Sequence, residues 1–148
     1  MVAPAPFPNA PRPDVAAPVR DAPDSGGRTA IIQTALDQRG VRYRLGGATP
    51  AEGFDCSGFV RFVFARHQIE LPRTVAEQAT IGRPVDVARA EPGDLVFFTT
   101  IAPGASHVGI ALGSGEFVHA PSDGSVVRID RVDAPYWRAR TIDARRVF

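Results

Sequence analysis

A single cysteine, Cys56, stands in the run Phe54-Asp55-Cys56-Ser57-Gly58-Phe59-Val60, where a loop gives way to an apolar helix. A helix start presents unpaired backbone N–H groups and the positive end of the helix dipole. Both favour an anion, so a thiol placed there is expected to ionise more easily than a free one. A cysteine of this kind, followed later in the chain by histidines, has the outline of a nucleophile awaiting a base, the arrangement of a cysteine hydrolase. The spacing is not that of a metal site.

The base must come from His67, His107 or His119. His67 ends the helix that Cys56 begins, roughly 16 Å away along the axis at about 1.5 Å per residue. It is therefore excluded, and its place at a helix C-terminus suits the dipole. His107 and His119 fall on the two arms of an expected hairpin around Gly113-Ser114-Gly115. If Leu112 pairs with Glu116, Gly109 lies opposite His119, and His107 is on the same face as both. Diagonal neighbours of that kind are about 7–8 Å apart at Cα, within reach of ring side chains. A two-residue loop would shift the pairing by one residue and put the rings on opposite faces. A catalytic role for both histidines thus demands the longer loop.

The elements that must position these residues follow from periodicity. Ile31, Ile32, Ala35 and Leu36 recur at helical spacing within Thr29 to Gln38, and Gly40 ends that helix. Val41 to Gly47 is an extended piece ending in a Gly-Gly turn. Cys56 to His67 is a helix apolar nearly all round, hence buried, with Asp55 as its N-cap. Thr74 to Thr80 is a short helix after Pro72. From Pro92 the period changes to that of strands: Asp94 to Thr99, His107 to Leu112, Glu116 to Ala120, Val126 to Ile129 and Arg140 to Val147. Helices first and an antiparallel sheet afterwards make an α+β domain.

The chain has 148 residues, enough for one domain with a core, and residues 28–148 are expected to form it. Residues 1–27 hold seven of the fourteen prolines and little that could pack, so they read as a disordered Pro/Ala-rich segment. With 17 basic and 16 acidic residues, the charge balance gives no case for a nucleic-acid binder. One cysteine excludes an internal disulfide, and no run is long enough to span a membrane. The N-terminus lacks the basic start and apolar stretch of a signal peptide.

Several motifs agree in order and spacing with one known family. Tyr43-Arg44-Leu45-Gly46-Gly47, the run around Cys56, Leu71-Pro72-Arg73-Thr74, Pro92-Gly93-Asp94-Leu95, His107-Val108-Gly109-Ile110, Phe117-Val118-His119-Ala120 and the ending from Tyr136-Trp137-Arg138 to Val147 together resemble the NlpC/p60 cell-wall cysteine peptidases. The likeness is greatest to Spr-type murein endopeptidases and covers Thr29 to Phe148.

The resemblance implies a papain-like α+β fold, with N-terminal helices packed on an antiparallel sheet. It implies Cys56 as nucleophile, His107 as base and His119 as the polar residue that orients His107. Tyr43 would lie beside the cysteine to hold the oxyanion or substrate, with the Cys56 N–H as a second oxyanion donor. Asp55 and Ser57 would contact the peptide, Asp55 being equally well explained as a helix cap. Arg73 would meet a substrate carboxylate or else sit in an ion pair.

The implied substrate is the stem peptide of peptidoglycan, cut at the D-Ala–meso-diaminopimelate cross-link or at the γ-D-Glu–diaminopimelate bond. No cofactor or metal is expected. The protein is expected to be a monomer in the periplasm or cell envelope, its export signal removed. The rivals are a papain-like amidase or acyltransferase on another amide or lipid, a non-catalytic cell-wall binding module, and a zinc site of Cys56, His107 and His119, which has one ligand fewer than structural zinc usually takes.

Overall fold

A computed structural model describes residues 23–148. Helix α1 spans Pro23–Asp37, the two-residue strands β1 and β2 span Ala48–Thr49 and Gly53–Phe54, and α2 spans Cys56–Ala65. Helix α3 (Val75–Gln78) and strand β3 (Arg83–Val85) follow, then β4 (Leu95–Phe98), β5 (His107–Gly113), β6 (Glu116–His119) and β7 (Arg128–Arg131). Helix α4 (Pro135–Arg138) and strand β8 (Thr141–Arg146) complete the order. Six strands form one antiparallel sheet in the order β3-β8-β4-β5-β6-β7. The α+β architecture matches the expectation.

The first helix starts at Pro23 rather than Thr29, so the expected boundary at residue 27 falls inside it. Proline suits the first helical position, whereas Gly26 and Gly27 are poor helix formers and disguised the start. The rest of the expected Pro/Ala-rich segment, residues 1–22, lies outside the described residues.

Strand β4 shows how the core divides. Leu95 and Phe97 join α1 and α2 on one face of the sheet, while Val96 and Phe98 join Phe117, Trp137 and Ala144 on the other. All four are buried, as a strand covered on both faces requires. Helix α2 lies on the first face and buries Phe59, Val60, Val63 and Phe64 completely. At about 1.5–3 kcal/mol for each fully buried side chain, that packing fixes the helix far more firmly than its propensity does.

The start of α2 is held by close backbone contact. Asp55 N donates to Gly47 O at 3.1 Å. A Cβ on Gly58 would sit 2.2 Å from that same carbonyl oxygen, so only glycine lets the helix approach. Helix α3 is closed by a capping box between Thr74 and Glu77. Thr74→Ala is expected to cost about 1 kcal/mol, read as a lower urea midpoint with an unchanged slope.

A buried ion cluster ties distant segments together. Asp94 is fully buried and accepts from Arg146 Nε and Nη2, both at 2.8 Å. Arg28 of α1 lies 3.8 Å from the same carboxylate and donates to Pro92 O at 2.7 Å.

Candidate active site

Cys56 is the first residue of α2, and Asp55 caps the turn around it by accepting from Gly58 N at 2.8 Å. The sulfur is faced by the backbone N–H groups of Val108, Ser57 and Cys56 itself. Val108 follows His107 at the start of β5, so the first turn of α2 and the first residues of β5 converge on the thiol.

His107 and His119 meet as the hairpin register demands, though by a different route. Gly113 pairs with Glu116 across a two-residue turn, and a bulge between Ala111 and Gly113 supplies the extra residue. Ile110 then pairs with Val118, which brings Gly109 beside His119. Ser114 and Gly115 both have positive φ, 56° and 82°, as a tight hairpin turn of matching twist requires. Gly109 has no room for a side chain: a Cβ there would lie 2.6 Å from the Phe117 ring and 3.2 Å from His119 Cβ. His107 Nε2 lies 2.7 Å from His119 Nδ1, and both rings are almost wholly buried. His67 is elsewhere, bonded to Thr34 at 2.8 Å, as its exclusion anticipated.

Asp130 and Arg128, which the sequence pattern did not single out, complete the surroundings together with Trp137. His119 Nε2 lies 2.7 Å from Asp130 Oδ2, and Arg128 Nε donates to that same oxygen at 2.8 Å. Trp137, noted only within the C-terminal run, stacks on His107 with centroids 5.3 Å apart and an interplanar angle of 26°. Phe98 and Phe117 close the aromatic box around the two imidazoles. Arg128 and Asp130 share one face of β7 by their two-residue spacing, a readable signal. Their register against His119 depended on a loop whose geometry sequence does not give.

Burial dominates the electrostatics. It pushes the Cys56 thiol up to about 11, with Asp55 adding to the rise and the three N–H groups opposing it. The easier ionisation expected at a helix start is therefore not found in the free protein, because desolvation outweighs the backbone donors. Burial likewise lowers His107 to about 3, helped by His119, while Asp130 opposes the shift. His119 falls to about 4 through burial, against the pull of Asp130. Burial thus favours the neutral thiol and neutral imidazoles in the free protein.

These shifts also predict an acid sensitivity. In the unfolded chain the histidines bind protons at the ordinary 6.5, but in the fold only near 3 and 4. The unfolded state then holds more protons at intermediate pH, so the contribution is full above 6.5 and is lost progressively as pH falls toward 3. A urea midpoint that drops steeply across this window, and less steeply in His119→Gln, is the expected result. A flat midpoint in the parent protein would contradict the buried-neutral state.

Of the other residues singled out from the sequence, Tyr43 lies near the thiol. Its hydroxyl is held protonated by burial and by the nearby Cys56 and Asp55, which keeps it a donor beside the sulfur. Arg73 turns its guanidinium on Asp55, at 3.1 and 3.0 Å, and donates to Ser57 Oγ at 2.9 Å. Its fork is thus taken by the protein's own carboxylate. Asp55 also accepts from Gly46 N, so in the free protein it acts as cap and anchor. Gln78, fully buried, donates to Ser57 O and Pro72 O and joins the nucleophile turn to the Arg73 loop. Among the described residues no cluster of His, Cys, Asp and Glu is arranged to hold a metal.

The arrangement can carry out acyl transfer: a thiol, a buried base braced by a second imidazole, and backbone donors at the sulfur where an oxyanion could form. The chain is 44% identical over 122 residues to the murein DD-endopeptidase MepS/murein LD-carboxypeptidase of Escherichia coli K12, covering 81% of this chain and 63% of that protein. It is 41% identical over 118 residues to the gamma-DL-glutamyl hydrolase of Bacillus subtilis, covering 78% of this chain and 28% of that protein. The crystal structure of the NlpC/p60 domain of the peptidoglycan hydrolase SagA superimposes with a TM-score of 0.71 at 35% identity, covering 81% of this chain and 98% of that domain. The NlpC/P60 family pattern matches residues 40–146, from the turn after α1 through the end of β8. That span covers most of the chain and takes in both the turn at Cys56 and the histidine hairpin, and the chain belongs to the NlpC/P60 family.

Proposed function

We propose that this protein is a cysteine peptidase of the cell envelope that hydrolyses stem-peptide bonds of peptidoglycan. The observation that carries this reading is the convergence of Cys56 with the start of β5, where His107 is hydrogen-bonded to His119. The Cys56 sulfur attacks the peptide carbonyl as His107 takes its proton. Backbone N–H groups at the helix start, with the Tyr43 hydroxyl, receive the developing oxyanion. His107 then protonates the leaving amine, and a thioester remains. Water activated by His107 hydrolyses it and restores the thiol.

The name of the Escherichia coli relative, a murein DD-endopeptidase, favours the D-Ala–meso-diaminopimelate cross-link. The name of the Bacillus relative, a gamma-DL-glutamyl hydrolase, supports the γ-D-Glu–diaminopimelate bond as the second reading. Mass spectrometry of muropeptides released from intact sacculi separates the two. Loss of cross-linked dimers with new monomers supports the first. Shortened stems ending at γ-D-Glu support the second. Absence of any product in the presence of folded protein would leave a binding module as the better account.

A further inference from the structure

We infer that Asp130 is a positioning residue whose carboxylate fixes the proton on each ring of the His107–His119 pair and so leaves the lone pair of His107 Nδ1 free to act as base. The inference rests on the reading of Cys56 and His107 as nucleophile and base. Its geometry is a chain of two short hydrogen bonds, 2.7 Å from His107 Nε2 to His119 Nδ1 and 2.7 Å from His119 Nε2 to Asp130 Oδ2.

Each bond admits only certain proton positions. An ionised carboxylate accepts and cannot donate, so His119 Nε2 carries its proton. A neutral His119 then has a bare Nδ1, which must accept. His107 Nε2 therefore donates, and a neutral His107 is left bare at Nδ1. Without the carboxylate the chain can run backwards: His119 Nδ1 donates, His107 Nε2 accepts, and His107 Nδ1 carries a proton. A ring in that form cannot take the thiol proton. Nothing else in the contact between the two imidazoles chooses between these directions, because each ring offers one donor and one acceptor either way.

Asp130 is itself held ionised. Arg128 donates to its Oδ2 at 2.8 Å, and the bonds from Arg128 and His119 hold its carboxyl below the usual range against the cost of its partial burial. The pair Arg128 and Asp130 thus anchors one end of the chain on β7, while Trp137 packs over both imidazoles and keeps water from the bonds between them.

The test uses the whole protein, in which only three histidines need assignment. Long-range ¹H–¹⁵N correlation spectra at neutral pH report which ring nitrogen carries the proton. In the parent protein His107 and His119 should both be protonated at Nε2. In Asp130→Ala, water takes the vacated position and can donate as readily as accept, so a mixture of tautomers is expected. Then kcat should fall about 10–100-fold with little change in KM, and Asp130→Glu should recover part of the loss. The acid limb of kcat/KM should move to lower pH, since Asp130 opposes the lowering of both imidazoles. Asp130→Asn, nearly isosteric, serves the same test if the alanine variant does not fold, because its amide also both donates and accepts. Unchanged tautomers in the folded variant, or an unchanged kcat, would overturn the assignment. Should the parent protein cleave no stem peptide while the ring protons still depend on Asp130, the hydrolase reading falls and the proton-fixing role stands.

Discussion

Cys56→Ala is expected to leave no measurable release of muropeptides from sacculi, while its stability should stay within about 1 kcal/mol of the parent. The chain has no second thiol to take over the attack. Ser57, the adjacent hydroxyl, is held by Arg73 Nη1 at 2.9 Å and is turned to that partner. The fold should barely register the change. Cys56 is only partly buried, the helix start is fixed by Asp55 and by the contact between Gly58 and Gly47, and alanine is a good helix former. The variant should therefore still bind stem peptides, which equilibrium binding to defined muropeptides can measure. Retained turnover in purified Cys56→Ala would remove the thioester mechanism altogether.

The two histidines should fail unequally. His107→Ala is expected to approach the effect of losing Cys56, because general acid–base transfer alone contributes about 10²–10⁴-fold. His119→Ala should be milder, since it leaves the proton carrier in place and removes only its partner. His119→Asn or His119→Gln should be milder still: one amide can donate to Asp130 while accepting from His107, as the ring does now. Groups that act as a unit are not additive, so the double alanine variant should resemble His107→Ala alone. Values of kcat/KM for these variants on one defined muropeptide make the comparison. Wild-type activity in His119→Ala, or a milder loss in His107→Ala than in His119→Ala, would reverse the roles.

Local signals carried far in this chain. The apolar run after Asp55 marked a buried helix and its cap, and the structure places both there. A catalytic role for both histidines required Gly109 to face His119, which was expected to need a loop longer than two residues. That pairing holds, although it is reached through a two-residue turn and a bulge. A bulge leaves almost no trace in composition, which is why its position was not legible. The short strand β3, the turn α4 and the small β1–β2 pair were missed because each is too brief for a period to show. Arg73 was open to either a substrate carboxylate or an ion pair, and the structure shows the pair; its partner Asp55 lies 18 residues back, and separation of that size hides the partner's identity from any local pattern. Asp130 was lost for a like reason: its role depends on where the loop after β6 returns the chain.

The place of β8 sets the order in which this domain can be assembled. It lies between β3 and β4, joined to both, and its Arg146 clasps the buried Asp94 at the mouth of β4. By Asp130 a growing chain already contains the thiol, both imidazoles and the carboxylate behind them. It still has a gap between the edge strand β3 and β4, and Asp94 still lacks the two hydrogen bonds from Arg146, with Arg28 alone beside it. Pairings this distant are entropically costly until they close, and little is gained by forming part of them. The domain should therefore acquire its active geometry in one late step, after residues 141–146 have been made. A synthesis product that stops before β8 carries every reactive group of the site and yet should remain inert and open to proteolysis. The last strand thus acts as a completeness check on the site.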